Sequence, residues 1–209
     1  MQKNSIKNII FDLGNVVINI NPDLSVKEMQ KLGFEDFERS YSLLSQTNLF
    51  NFLEKGLISP DKFYEEINSQ LPESVSNERI EQAWGAMLLD FPKERIELIQ
   101  SLSKKYRVFL LSNTNEIHYH QYNKDFINQF GFSLNDLFEK AYYSFELGMR
   151  KPDTEIFEHA LNDSSLNQFE TLFIDDLDKN IEPAARLGLN VMWLDVAKGE
   201  DIVMKLEGF

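Results

Sequence analysis

The sequence predicts an α/β protein in which helices flank a parallel β-sheet. Four short apolar runs recur along the chain, at residues 8–11, 108–111, 171–174 and 190–194, and a fifth, short strand is expected over residues 140–144. Apolar runs of this length are typical of strands buried on both faces, the usual state in a parallel sheet. Helical patterns separate the later runs, at residues 92–105, 117–130, 153–161 and 179–187. Strands that alternate with helices form βαβ units with right-handed crossovers.

The segment between the first two strands, residues 18–91, contains no convincing strand and has the start and stop signals of helices. Asn21-Pro22-Asp23 predicts the start of a helix that ends at Gly33. Ser59-Pro60-Asp61 combines an N-cap residue, proline at the first helical position and an acid near the positive end of the helix dipole. Further helices are expected over residues 34–44, over residues 46–55 and from Ser76. We therefore expect a core formed by residues 1–17 and 92–209, with an inserted helical subdomain of residues 18–91.

Composition excludes several classes of function. The 209-residue chain has a net charge of −13, which argues against nucleic acid and against an anionic membrane surface as partners. It contains no cysteine, so disulfides, thiolate nucleophiles and cysteine metal ligands are excluded. No apolar run approaches the roughly 20 residues that span a bilayer, and the first residues lack a signal-peptide core. We expect a soluble, cytoplasmic protein that is a monomer or a homodimer.

Polar residues follow three of the predicted strands at the point where each strand ends. Asp12 follows the first run, Ser112 follows the run at residues 108–111, and Asp175 and Asp176 follow the run at residues 171–174. Because the carboxyl ends of parallel strands lie along one edge of the sheet, these groups are expected to meet where open α/β sheets bind ligands. Neighbouring carboxylates repel one another unless a cation neutralises them. Oxygen ligands suit Mg²⁺, which shares its coordination shell with substrate phosphate.

A lysine offers a positive charge for the same edge. Lys151 stands in Gly148-Met149-Arg150-Lys151-Pro152-Asp153, just before a predicted helix start. A loop lysine taken singly is most often solvated. Lys151 is a candidate site residue because carboxylates and a phosphate site are predicted beside it. The sequence therefore predicts a magnesium and phosphate site at the carboxyl edge of the sheet.

Four motifs in order carry a family resemblance: Phe11-Asp12-Leu13-Gly14-Asn15-Val16, Leu111-Ser112-Asn113-Thr114-Asn115, Gly148-Met149-Arg150-Lys151-Pro152-Asp153 and Phe173-Ile174-Asp175-Asp176. Over the whole chain they resemble the motifs of haloacid dehalogenase-like (HAD) hydrolases, with a helical cap between the first and second motifs. Within that superfamily the chain is most similar to the bacterial sugar-phosphate phosphatases close to the α-glucose-1-phosphate phosphatases. That similarity includes His118 after the second motif and Glu54-Lys55-Gly56-Leu57-Ile58-Ser59 with Phe63 in the cap. The resemblance implies a HAD-like Rossmannoid core with residues 18–91 as the cap.

The resemblance also implies an activity and a role for each motif residue. It implies a Mg²⁺-dependent phosphatase that hydrolyses a small phosphorylated metabolite, a sugar phosphate in the branch resembled, through an aspartyl-phosphate intermediate. Asp12 would be the nucleophile. The implied metal ligands are Asp12, the Gly14 backbone carbonyl, Asp176, and Asp175, which would act directly or through water. Asn180 matches a position that supports the metal loop. The implied phosphate ligands are Ser112, the Asn113 amide and Lys151, of which Lys151 also pairs with the nucleophile.

Gly14 departs from the pattern of most phosphatases in the superfamily. They carry a second aspartate two residues after the nucleophile, which acts as general acid and then as general base. Gly14 keeps the backbone oxygen for the metal and lacks the proton donor. General acid–base groups are worth roughly 10²–10⁴-fold in rate, so we expect aryl or anomeric phosphates to be cleaved much faster than simple alkyl phosphates. The leaving groups of aryl and anomeric esters need protonation less.

Two alternative functions remain open. Dehalogenation, in which a carboxylate displaces halide from carbon, needs no metal, so the pair Asp175-Asp176 argues against it. A degenerate family member that binds a ligand without turnover is favoured by Gly14, but it need not keep the nucleophile, the metal pair, Ser112 and Lys151. His118 is a candidate substitute acid because histidine titrates near neutrality. We favour a partly exposed packing or capping role for it.

Overall fold

The structure, a computed structural model, describes residues 6–37 and 48–209. In these residues the strands are β1 (Asn8–Phe11), β2 (Arg107–Ser112), β3 (Lys140–Tyr143), β4 (Thr171–Asp175) and β5 (Asn190–Trp193). The helices before β2 are α1 (Pro22–Lys31), α2 (Asn48–Glu54), α3 (Pro60–Ser69), α4 (Asn77–Gly85) and α5 (Lys93–Leu102). The helices after β2 are α6 (Glu116–Phe130), α7 (Ser144–Leu147), α8 (Thr154–Asp163), α9 (Asp178–Arg186) and α10 (Ile202–Lys205). Short 3₁₀ segments cover Leu134–Leu137, Gln168–Glu170 and Val196–Lys198.

The five strands form one parallel sheet with the order β3-β2-β1-β4-β5. β1 lies at the centre and bonds to β2 on one side and to β4 on the other. Ile9 and Phe11 pack into one buried cluster, whereas Ile10, which points to the opposite face, packs into another. Both faces of the central strand are therefore covered, and this is why the strand reads as a continuous apolar run. The predicted parallel α/β fold is confirmed.

The N-cap residues Asn21 and Ser59 in the helical segment cap helices as predicted. Asn21 precedes α1, and its side-chain oxygen accepts a hydrogen bond from the Asp23 N–H at 3.2 Å. Ser59 precedes α3, and its hydroxyl oxygen accepts from the Lys62 N–H at 3.2 Å. Most predicted boundaries lie within a few residues of the observed ones. The strand predicted over residues 140–144 ends at Tyr143, because Ser144 begins α7. The last strand, predicted over residues 190–194, ends at Trp193. The helix predicted over residues 34–44 lies mostly outside the described residues.

The helices between β1 and β2 have a hydrophobic cluster of their own. Its buried members include Met29 of α1, Phe63 of α3 and Trp84 of α4. Ile117 of α6 also belongs to it, so this segment packs against the helix that follows β2. Within the described residues, none of the helices is both long enough and apolar enough to cross a membrane. The division into a core and a cap stays a prediction.

Candidate active site

The carboxyl ends of β1, β2 and β4 bring the predicted polar groups to one edge of the sheet. Asp12 directly follows β1, Ser112 ends β2 and Asp175 ends β4. Phe11 pairs in register with Leu110 and Ile174, so Asp12 and Asp175 lie at the same level and Ser112 lies one residue further along its strand. The Asp12 N–H donates to the Ile174 carbonyl at 2.9 Å, which fixes the turn out of β1. Asp12, Ser112 and Asp175 are all buried.

Lys151 lies between two of these carboxylates. Its Nζ is 2.6 Å from Asp12 Oδ1 and 2.7 Å from Asp175 Oδ2, and its side chain is 1% exposed. Burial by itself would lower the pKa of Lys151, but the charges of Asp12 and Asp175 more than offset burial and raise that pKa. The Asn113 side chain holds the lysine backbone, because its Oδ1 accepts from the Lys151 N–H and its Nδ2 donates to the Lys151 carbonyl, both at 2.8 Å. Lys151 is therefore a fixed, buried cation, and not a solvated loop lysine.

The adjacent aspartates after β4 have different surroundings. Asp175 accepts from Lys151 and from the Leu177 N–H, and both of its oxygens accept from Asn180 Nδ2 at 3.0 Å. Asp176 is less enclosed, and its Oδ2 accepts from Asn15 Nδ2 at 2.9 Å. Asp175 is thus a fully hydrogen-bonded partner of Lys151, whereas Asp176 has fewer protein contacts competing for its oxygens.

The three carboxylates carry more negative charge than Lys151 alone can neutralise. Burial raises the pKa of Asp12 to about 7, with the charge of Lys151 opposing this shift and the charges of Asp175 and Asp176 adding to it. Burial likewise raises the pKa of Asp176 to about 6, although its hydrogen bond from Asn15 opposes the shift. Raised carboxyl pKa values at a shared site indicate a place where an additional cation would be stabilised.

The donor set fits a magnesium ion. Asp12, Asp175 and Asp176 each offer an oxygen, and these atoms lie within 4.8 Å of one another. Hard oxygen ligands of this kind suit Mg²⁺, which retains several waters in its shell. Asn180 Oδ1 is buried and has no hydrogen-bond partner among the described residues, so an acceptor remains beside the carboxylates for a donor such as water. Gly14 lines the same cavity as Asp12 and Asp176.

A cavity of about 260 Å³ opens over this edge of the sheet. Asp12, Ser112, Asn113, Lys151 and Asp176 line it. Its apolar lining comes mainly from the segment between β1 and β2: Ile18, Ile20, Pro22, Trp84, Met87 and Leu88. The lining also includes three charged side chains to which the sequence analysis gave no role: Glu54, Arg150 and Lys179. Glu54 and Arg150 stand in quoted motifs, but nothing in those motifs indicated that the two residues meet.

The space beside Gly14 is filled by an apolar side chain. A Cβ added at Gly14 would lie 2.9 Å from Ile20 Cδ1 and 4.0 Å from Asp12 Oδ2. A side chain here would therefore approach the Asp12 carboxylate. Within the described residues, Ile20 and Gly14 leave the space on this side of Asp12 apolar.

His118 is buried, and the expectation of partial exposure was wrong because Trp84 covers it. The two rings stack with centroids 4.7 Å apart. The Nε2–H group donates to the Trp84 carbonyl at 3.1 Å, and Nδ1 accepts from Asn115 Nδ2 at 3.2 Å. Burial lowers the pKa of His118 to about 4. A neutral imidazole whose only N–H is already donated packs and connects two helices, as favoured from the sequence. His120 is exposed.

A larger depression, of about 760 Å³, lies at the opposite end of the sheet. Lys7 and Arg107 line it, and both are ion-paired, with Glu170 and Glu139 respectively. None of the predicted site residues belongs to its lining. The chemistry is therefore concentrated at the carboxyl edge.

Comparisons with known proteins identify the family of the chain. The family model for haloacid dehalogenase-like hydrolases matches residues 6–188. The chain is 36% identical to a D-ribitol-5-phosphate phosphatase of Bacteroides thetaiotaomicron, over 88% of this chain and 89% of that protein. It is 28% identical to a sesquiterpene phosphatase of Aspergillus oryzae, over 88% and 87% of the two chains. A HAD family enzyme of Bacteroides thetaiotaomicron, solved in complex with magnesium and inorganic phosphate, superposes with a TM-score of 0.84 at 36% identity, over 90% and 94% of the two chains. The chain therefore belongs to the haloacid dehalogenase-like hydrolases.

Proposed function

We propose that the protein is a Mg²⁺-dependent phosphatase that hydrolyses a small phosphorylated metabolite, a sugar or sugar-alcohol phosphate. The observation that carries the proposal is the grouping of Asp12, Lys151 and Asp176 in the lining of a small cavity, with Asp175 in contact with Lys151. The magnesium complexes of a relative and the phosphatase activities of two relatives support it.

Each site residue has a proposed role in two displacement steps. An Asp12 carboxylate oxygen attacks phosphorus, the ester P–O bond breaks, and the leaving oxygen takes a proton from solvent water to become an alcohol. Water then attacks the aspartyl phosphate, which releases inorganic phosphate and regenerates Asp12. The Ser112 hydroxyl, the Asn113 backbone N–H and Lys151 hold the phosphate oxygens and stabilise the charge that develops on them. Asp12, the Gly14 carbonyl, Asp175 and Asp176 would hold Mg²⁺, which supplies charge neutralisation and orientation of the phosphoryl group.

Residues 18–91 are the proposed cap. Ile18, Ile20 and Trp84, which line the cavity, all come from this segment, and so it covers the reacting groups and excludes water from them. A cavity of about 260 Å³ lies below the roughly 300–1,000 Å³ of drug-sized ligand sites, which favours a small metabolite over a terpenoid-sized substrate. The cytoplasmic location, the monomeric or dimeric state and the preference for aryl or anomeric esters remain predictions.

Two competing functions have less support. Dehalogenation needs no cation, so it does not explain why the carboxylate of Asp176 is grouped with two others. Binding without turnover leaves unexplained why Lys151 and a nucleophile-competent Asp12 are held in contact at 2.6 Å.

The test is phosphate release from a panel of sugar phosphates, sugar-alcohol phosphates and p-nitrophenyl phosphate, with and without Mg²⁺. We expect activity to require Mg²⁺ and Asp12→Asn to lower it by about 10³-fold or more. Asp23→Asn, at an exposed position in α1, is the matched control and should leave activity unchanged. Full activity of Asp12→Asn would refute the nucleophile assignment, and chloride release from a haloacid without Mg²⁺ would favour dehalogenation.

A further inference from the structure

Glu54 and Arg150 form an ion pair on the wall of the cavity. Arg150 Nη2 lies 2.9 Å from Glu54 Oε2, and each side chain is 14% exposed. Glu54 ends α2 in the helical segment, whereas Arg150 stands in the loop before α8. Lys179 lines the same cavity as Glu54 and Arg150. Burial and the charge of Arg150 lower the pKa of Lys179, and the charge of Glu54 opposes this shift. We refer to Glu54, Arg150 and Lys179 as the charged cluster.

The charged cluster lies next to the proposed phosphate site along the chain and lines the same cavity. Arg150 directly precedes Lys151, whose Nζ contacts the nucleophile Asp12. Lys179 directly precedes Asn180, which bonds to Asp175. A leaving group attached to a phosphate at Asp12 therefore extends into a cavity that these three side chains border.

The cluster offers acceptors and donors side by side. The Glu54 carboxylate only accepts hydrogen bonds, and the guanidinium and ammonium groups only donate. A hydroxyl group is both donor and acceptor, so a leaving group with several hydroxyls can bond to both kinds of group at once. An apolar leaving group would remove water from the charges without replacing its hydrogen bonds. The cluster thus favours a hydroxylated leaving group.

A second ion pair joins the same two segments away from the cavity. Lys55 Nζ lies 3.2 Å from Asp153 Oδ2, with side chains that are 24% and 53% exposed. Neither Lys55 nor Asp153 is among the described residues that line the cavity. This pair contributes to docking α2 on the loop before α8 without facing the substrate, so it separates a docking effect from substrate recognition.

Resting on the proposed function, we propose that Glu54, Arg150 and Lys179 are specificity-determining residues that bind the hydroxyl groups of a sugar or sugar-alcohol monophosphate. The cluster selects among leaving groups, whereas Asp12 and Lys151 act on the phosphate that all substrates share. Its loss therefore changes the preference between substrates.

The test compares two primary alkyl esters of similar length, D-ribitol 5-phosphate and n-pentyl phosphate, with p-nitrophenyl phosphate as a general phosphatase substrate. The measured quantity is the ratio of kcat/KM for the ribitol ester to kcat/KM for the pentyl ester. We expect the wild-type ratio to be well above one and Glu54→Gln to lower it by about 10- to 100-fold, the factor for one lost hydrogen bond to a charged group. Lys55→Gln, the matched control, should keep the wild-type ratio.

Because both substrates are measured on the same preparation, the ratio of the two kcat/KM values does not depend on the fraction of protein that is folded. Lys179→Gln is a second variant that should lower this ratio. A wild-type ratio near one, or an unchanged ratio in both Glu54→Gln and Lys179→Gln, would overturn the inference while leaving the phosphatase proposal intact. An equal drop of the ratio in Lys55→Gln would overturn the inference in favour of a docking effect. No phosphate release from any of the esters, p-nitrophenyl phosphate included, would overturn the proposed function and this inference with it.

Discussion

Protonation of His118 destabilises the folded protein, because both hydrogen bonds of its ring require the neutral imidazole. Nε2–H donates to the Trp84 carbonyl, and Nδ1 accepts from Asn115 Nδ2. The Asn115 amide cannot turn to suit a proton on Nδ1, because its Oδ1 already accepts from the His118 N–H at 3.0 Å. A protonated Nδ1 would face the amide N–H of Asn115, donor against donor. The folded protein therefore resists taking up this proton.

The pKa values give the size and the sign of the effect. Burial lowers the pKa of His118 from 6.5 to about 4, so the unfolded chain binds more protons than the folded one between these values. The free energy of unfolding is therefore highest above pH 6.5 and falls as the pH is lowered toward 4. From this shift, His118 should account for a loss of about 2 kcal/mol between pH 7.5 and pH 5 and of about 3 kcal/mol by pH 4.

Urea unfolding of the wild type and His118→Gln at pH 7.5, 6 and 5 measures this loss. The stability difference between the two proteins should shrink or reverse by about 2 kcal/mol from pH 7.5 to pH 5, since the titration of all other groups cancels in the comparison. His120→Gln, which removes an exposed histidine, should show no such change. The reasoning fails if the wild type and His118→Gln lose stability in parallel over this range.

Two further predictions concern the reacting groups. Lys151→Met leaves Asp12 and Asp175 buried without their cation, so the free energy of unfolding without Mg²⁺ should fall by roughly 3–5 kcal/mol. Added Mg²⁺ should restore part of this loss. Urea unfolding with and without Mg²⁺ measures both effects, and a loss below about 1 kcal/mol would contradict the prediction. Gly14→Asp combined with Ile20→Val removes the contact at 2.9 Å and supplies an acid. The rate for n-pentyl phosphate relative to p-nitrophenyl phosphate should then rise by roughly 10²-fold or more, and an unchanged ratio would argue that Gly14 does not limit alkyl esters.

The carboxyl-edge residues could be predicted because topology forces them together. Once residues 8–11 and 171–174 are identified as buried parallel strands, Asp12 and Asp175 must end at the same level. This argument needs only local pattern and the geometry of parallel sheets. Local sequence does not determine which residues from distant segments cover the site. That is why the burial of His118 under Trp84 was not predicted.

The same limit applies to the charged cluster. Glu54 and Arg150 belong to segments that meet only when the helices between β1 and β2 pack over the sheet. Each residue taken alone resembles a solvated surface charge, and charge patterns along one helix do not indicate partners in another segment. The motif at Gly148–Asp153 identified Lys151 by resemblance, but its fixed position depends on the Asn113 side chain, a contact made across the sheet edge.

Charge balance links the proposed metal to the proposed substrate. The chain has a net charge of −13, so a phosphate must be attracted by local positive charge. Lys151 and the charged cluster provide three positive charges against four carboxylates, those of Asp12, Asp175, Asp176 and Glu54. Without a further cation this edge keeps a net negative charge and would repel a phosphate dianion. A divalent ion reverses that balance close to Asp12, because it neutralises the carboxylates and leaves Lys151 free to attract phosphate oxygens. Since each ligand improves the site for the other, Mg²⁺ and phosphate should bind with positive coupling.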